Sequence, residues 1–121
     1  MLFLGIDLGS SSIKLSVFDP EKGTTIGAIS VPDFEMSIIA QEFGWAEQDP
    51  ESWWQFVKDG IKQLGSKSNI DLKKIAGIGS AYQMHGLVLT DENLNPVRSS
   101  IIWCDSRAAI IGDTIYDQIG A

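Results

Sequence analysis

The rhythm of apolar and polar positions changes several times along the chain, and each change predicts an element. Leu2, Phe3, Leu4 and Ile6 form a short continuous apolar run, the pattern of a strand covered on both faces. Residues 12 to 19 alternate instead, with Ile13, Leu15 and Val17 on one face and Lys14 and Ser16 on the other. Asp19 to Gly23 reads as a turn, and the β-branched stretch from Thr24 to Val31 predicts a third strand. Two tight connections in succession make these three an antiparallel meander. The next rhythm is helical. Asp49 is a good N-cap, Pro50 suits the first helical position, and Trp53, Val57, Ile61 and Leu64 recur as one stripe. Gly65 predicts the end of this helix, while Gly60 inside it costs about 1 kcal/mol relative to alanine.

Lys74 to Ala81 is a second apolar run, and strand, helix, strand in this order predicts a parallel crossover. Gly86 to Asp91 predicts a further strand, residues 92–96 a turn, and Ser100 to Trp103 a short apolar segment. From about Ser106 the pattern is helical again, with Ala108, Ile111 and Ile115 on one stripe. Between Glu35 and Pro50 there is no periodicity, and long irregular stretches in compact domains are often functional. The order β-β-β-α-β predicts an α/β domain with a mixed sheet, unlike the regular alternation of a dinucleotide-binding fold.

Composition narrows the function classes. At 121 residues and 44% hydrophobic, the chain suits one domain with a real core. A net charge of −7 without any basic stripe speaks against nucleic acid as a partner. Cys104 is the only cysteine and His85 the only histidine, so an internal disulfide and a Cys/His zinc site are both excluded. No basic segment precedes the first apolar run and no apolar stretch approaches a membrane span. The expectation is a cytoplasmic protein with no membrane partner.

Four stretches carry candidate chemistry. In Asp7-Leu8-Gly9-Ser10-Ser11-Ser12, with Lys14 beyond, an aspartate closes an apolar run and a turn of small residues follows. The P-loop pattern is absent. Such a turn offers backbone N–H groups and hydroxyls to an anion, and Mg2+ reconciles a neighbouring carboxylate with a phosphate. From spacing alone the plainer reading leads, in which Asp7 satisfies the amides of a hairpin turn. In Tyr82 to Gly86, Gln83 and His85 share a face if the strand continues, either turned to a ligand or with the histidine bound to a backbone carbonyl. Trp103 to Arg107 sets an aromatic ring beside a carboxylate and a guanidinium, the equipment for holding a polyol; alternatively Asp105 is the N-cap of the last helix. Three of the four tryptophans lie between Gly44 and Trp54. Trp53 and Trp54 read as core anchors, and Trp45 stays open.

Taken together, LGIDLGSSSIKLSVFD, GWAEQDPESWW, IGSAYQMHGLVLTD and IIWCDSRA resemble the N-terminal part of the FGGY-type carbohydrate kinases, in the family's order and over essentially the whole chain. The QMHG element points to the xylulokinase branch of that family. The resemblance implies a ribonuclease-H-like domain of the actin/Hsp70 ATPase type. Residues 1–121 would be the N-terminal part of its first domain, with the rest of that domain and the second domain lying beyond. It implies ATP and Mg2+, with Asp7 near the metal, through water, and near the transferred phosphoryl group. Gly9, Ser10, Ser11, Ser12 and Lys14 would bind phosphate. Met84 and His85 match positions that contact the ketose, Gln83 is grouped with them, and Trp103, Asp105 and Arg107 match a segment on the sugar side of the cleft. The family's general base, second phosphate motif and adenosine site match nothing up to residue 121, so Asp7 is not the base. The implied reaction converts ATP and D-xylulose to ADP and D-xylulose 5-phosphate, with a small sugar as partner and a homodimer as one form of the full-length protein. A glycerol, gluconate or ribulose kinase, or a non-catalytic actin-fold binding module, are the alternatives.

Overall fold

The computed structural model describes residues 1–120. In chain order these form β1 (Leu2–Leu8), β2 (Ile13–Asp19), β3 (Thr24–Val31), β4 (Glu47–Gln48), α1 (Pro50–Lys67), a 3-10 turn (Leu72–Lys74), β5 (Ile75–Tyr82), β6 (Ser100–Ile101) and α2 (Ala109–Ile119). Length alone suited one domain, but the chain folds as two units. One comprises Met1–Ser37 and Pro50–Gln83; the other comprises Ile38–Asp49 and the residues from Met84 onward.

The first unit is the expected mixed sheet. Its strand order is β3-β2-β1-β5, with β1 antiparallel to β2, β2 antiparallel to β3, and β5 parallel to β1 across the helical crossover. Alternation along the strands sends Leu2, Leu4, Ile13, Leu15, Val17 and Val31 into one apolar cluster with Val57 and Leu64 of α1. Gly60 explains itself there: a Cβ at this position would lie 2.4 Å from Leu15 Cδ1 and 3.0 Å from Val31 Cγ2. The helix gives up propensity so that its backbone can approach the sheet.

Three expectations in this unit change. α1 continues through Gly65 to Lys67, and the left-handed residue beyond it is Asn69, with φ of 50°. Trp54 is no core anchor: it is 56% exposed, with Lys58 Nζ 5.8 Å from its ring centroid, whereas Trp53 packs against the cluster. The continuous run of β1 predicts cover on both faces, yet Phe3 is 39% exposed, and on the edge strand Ile78 is 66% exposed.

The second unit is built differently. β4 and β6 pair antiparallel, Glu47 opposite Ile101 and Gln48 opposite Ser100. The strand expected over Gly86 to Asp91 does not form, and only isolated bridges join Leu87 to Ile101 and Thr90 to Pro96. Pro96 has no N–H to extend a ladder. Asp91 closes the chain into a side-chain turn instead, accepting hydrogen bonds from the backbone N–H of Asn93 and Asn95. α2 starts at Ala109, later than its periodicity predicts, and its N-cap Ala108 makes no side-chain cap. Its apolar stripe meets no core among the described residues, Ile111 being 61% and Ile115 47% exposed. No helix among the described residues is long and apolar enough to cross a membrane.

Candidate functional site

In the first unit, the β1–β2 register sets Asp7 opposite Lys14, so Gly9 to Ser12 become the hairpin turn between them. Lys14 Nζ stands 3.4 Å from Asp7 Oδ2, with both side chains about half exposed. At that distance and exposure the pair binds weakly and both groups stay open to a ligand. The turn is tight: a Cβ on Gly9 would lie 2.9 Å from the Ser12 carbonyl oxygen. It is also anchored. The Ser11 carbonyl accepts from Met36 N–H at 3.0 Å and the Ser11 hydroxyl donates to Glu35 at 3.3 Å. An open concavity of about 800 Å³ lies beside the pair, lined by Asp7, Lys14, Ser30 and Ser80 among others.

Gln83 joins this end of the sheet. Its N–H donates to the Leu8 carbonyl at 3.1 Å, and its Oε1 is buried without a hydrogen-bond partner among the described residues. Among the described residues no cluster of three or more His, Cys, Asp or Glu is poised to cage a metal. Two accessible carboxylates, Asp7 at the strand end and Glu35 on the Ser11 hydroxyl, beside a hydroxyl-rich turn make a donor set that suits a hydrated Mg2+ held partly by phosphate oxygens.

The second unit carries the remaining candidates. β5 ends at Tyr82, so strand alternation does not carry Gln83 and His85 onto one face. Met84 is 69% exposed, and His85 is exposed with a left-handed backbone, φ of 63°. That region disfavours most residues other than glycine, though histidine enters it more readily than most.

Trp103 is 59% exposed, but Asp105 and Arg107 are engaged with one another. Arg107 Nε donates to both carboxylate oxygens of Asp105 at 2.9 and 3.0 Å, and Nη2 donates to Oδ2 at 2.7 Å. Asp105 also accepts from Ala46 N–H at 2.6 Å and from Arg107 N–H at 2.9 Å. Hydrogen bonding from the Arg107 side chain leads these effects and holds the Asp105 carboxyl down at about 2, against the opposing pull of burial. The same contact, led by Asp105, raises the Arg107 pKa. The guanidinium lies 3.8 Å from the Trp45 ring centroid, and its Nη2 donates to Glu47 at 2.6 Å. Glu47 accepts a second guanidinium, that of Arg98, on the same oxygen.

Sequence reasoning did not single out Glu35, Glu47 or Arg98, and it left Trp45 open. Their partners lie far away in the chain, and no local periodicity marks a carboxylate whose counter-ions come from elsewhere. Asp105 also turns out not to be a helix cap.

Residues 2–121 match the family described as the FGGY family of carbohydrate kinases, N-terminal domain. The xylulose kinase of Staphylococcus epidermidis is 38% identical over 117 residues, which is 97% of this chain and 23% of that protein. The chain therefore spans about a quarter of the length of the curated relatives it matches. Two solved structures from Lactobacillus acidophilus, one a ligand-bound xylulose kinase and one a gluconate kinase, align with the same TM-score of 0.83 at 28% identity. Each alignment covers 97% of this chain and 22% of the other. Likeness over these residues does not separate the two sugars.

Proposed function

The chain belongs to the FGGY family of carbohydrate kinases, and we propose that the protein carrying it transfers the terminal phosphoryl group of ATP to D-xylulose. Its fold is a partial α/β domain of that family's actin/Hsp70-like ATPase architecture. On this reading residues 1–121 are the N-terminal part of the first domain, and the base that deprotonates the sugar hydroxyl lies outside them.

The observation that carries the reading is the half-exposed Asp7–Lys14 pair flanking a tight turn of small residues. When bound, ATP supplies the phosphoryl group and Mg2+ spreads its charge. Asp7 would orient water around the cation, the turn from Gly9 to Ser12 would offer backbone N–H groups and hydroxyls to the phosphate, and Lys14 would offset its charge. Gln83, next to Met84 and His85 in the chain, joins them on the sugar side. Met84, His85 and Trp103 supply the exposed sugar contacts. Asp105 and Arg107 stand one step back, because each is already spent on the other. Gluconate is the second substrate to weigh, since a gluconate kinase aligns as well as a xylulose kinase does.

The test is ADP release by the full-length protein across D-xylulose, D-ribulose, gluconate and glycerol. D-Xylulose is expected to give the highest kcat/KM. Asp7→Ala should lower kcat by about a hundredfold with little change in sugar KM, the mark of an interaction made mainly in the transition state. His85→Gly keeps the left-handed backbone comfortable, so melting should hardly move. Meanwhile kcat/KM for D-xylulose should fall about tenfold, and less for a sugar without the contacted hydroxyl. Faster turnover of gluconate would reassign the substrate, and no sugar-dependent ADP release would overturn the proposal.

A further inference from the structure

Glu47 is a buried carboxylate, 6% exposed, for which the proposed chemistry has no use. It stands on β4, opposite Ile101, in a two-stranded ladder too short to require a charge for its own sake. Its Oε1 takes Nη2 of Arg98 and Nη2 of Arg107 together. Two guanidiniums on one oxygen repel each other, and the carboxylate charge offsets that repulsion, so neutral Gln at this position would leave the cations poorly matched.

Arg107 is the better fixed of the two. Trp45 holds it from below at 3.8 Å, Asp105 takes its Nε–Nη2 edge, and Glu47 takes Nη2 from the other side. Its Nη1 is engaged by neither carboxylate. The backbone follows the same seam: Ile102 N–H donates to Ala46 O at 3.0 Å and Ser106 N–H donates to Gly44 O at 2.8 Å. The stretch from Gly44 to Glu47 and the turn from Ile102 to Arg107 are thus clasped along their length. The turn leaves Trp103 exposed, along with Cys104 and Ser106, and Trp103 is the aromatic one of the three.

We propose that Glu47 is a positioning residue: by seating Arg107 on Trp45 and Asp105, it fixes the turn that presents Trp103 to the sugar. This rests on the sugar-side role proposed for Trp103. An aromatic platform binds a sugar face only if its plane is held, and a displacement of about an ångström is enough to cost a large part of the contact.

The test uses the full-length kinase. Glu47→Gln keeps the shape and removes the charge. It should raise the sugar KM about tenfold, leave kcat within about twofold and leave the KM for ATP unchanged. Trp103→Ala should raise the sugar KM as well, and the double variant should be no worse than the more affected single one, because both act through one contact. If Glu47→Gln does not fold, Trp45→Phe, which leaves a smaller ring under Arg107, should raise the sugar KM about threefold. Additive effects in the double variant, or a fall in kcat that tracks the folded fraction with both KM values unchanged, would overturn the proposal. If Trp103→Ala raises the sugar KM while Glu47→Gln does not, only the part given to Glu47 fails. If Trp103→Ala has no effect, the sugar-side role of Trp103 fails and takes this inference with it.

Discussion

The two units of the chain are held together by different chemistry. In the first, the buried side chains are aliphatic and meet across one sheet and one helix: Leu2, Leu4, Ile13, Leu15, Val17 and Val31 against Val57 and Leu64. In the second, Glu47, Gln48 and Ser100 are buried alongside Ala46 and Ile102, while the apolar side chains of α2 are exposed. Apolar burial is non-directional and roughly proportional to area, so it tolerates imprecision. A buried polar seam stabilises only when each partner is in place, and it loses heavily when one is removed. The first unit should therefore respond to lost volume, and the second to lost charge.

The largest expected effect lies in the first unit. Leu15 is 1% exposed and touches α1 where Gly60 lets the helix come close. Leu15→Ala should cost about 3 kcal/mol of unfolding free energy, the sum of lost transfer energy and the cavity left behind. Ile111→Ala, on the 61% exposed face of α2, should cost under about 0.5 kcal/mol. Urea titrations of the two variants measure this directly, and similar losses would dissolve the contrast.

A smaller effect belongs to the second unit and depends on pH. The folded-state pKa of Asp105 sits at about 2, below its ordinary 3.8, chiefly because the Arg107 side chain hydrogen-bonds to it. A depressed carboxyl pKa contributes stability that is fully present above the ordinary value and is lost as pH falls through the folded one. The clasp should therefore hold at pH 5 and loosen between about pH 4 and pH 2. Trp45 reports it, since Arg107 lies on its ring. A near-ultraviolet circular dichroism change is expected in that window, and Arg107→Met should abolish it. An unchanged signal down to pH 2 in the parent chain would remove the clasp as the acid-sensitive element.

The same contrast decides what could be foreseen from sequence. β1, β2, β3, α1 and β5 were legible because burying apolar side chains against a sheet or a helix imposes a period of two or of 3.6. Even there, Gly60 read as a cost, because its reason lies in Leu15 and Val31 of other strands. The expected strand over Gly86 to Asp91 failed because alternation alone does not supply a partner, and Pro96 cannot donate. At the site, Asp7 and Lys14 were readable from the hairpin that joins them. Asp105 and Arg107 were readable as chemistry but not in their partners, since Trp45 and Glu47, far away in sequence, take up the guanidinium. A polar seam leaves no period in the chain, so its members appear only once folded.

The smallest expected effect on stability falls on the pair that matters most to the proposed chemistry. Lys14 and Asp7 are separated by 3.4 Å with side chains 62% and 49% exposed, and an ion pair so placed contributes little once solvent screening is counted. Lys14→Met should shift unfolding by no more than about 0.5 kcal/mol. If the full-length protein is the proposed kinase, the same substitution should lower kcat, because a cation beside the proposed phosphate turn acts on charge that grows toward the transition state. The first unit can thus lose its functional pair and keep its fold, since the aliphatic core beneath does the holding. In the second unit Glu47, Asp105 and Arg107 hold the turn, and on the proposed reading that turn serves the sugar side, so no substitution there should separate the two properties so cleanly. A loss above about 1 kcal/mol in Lys14→Met would show the pair to be a structural part of the hairpin, and would erase this difference between the units.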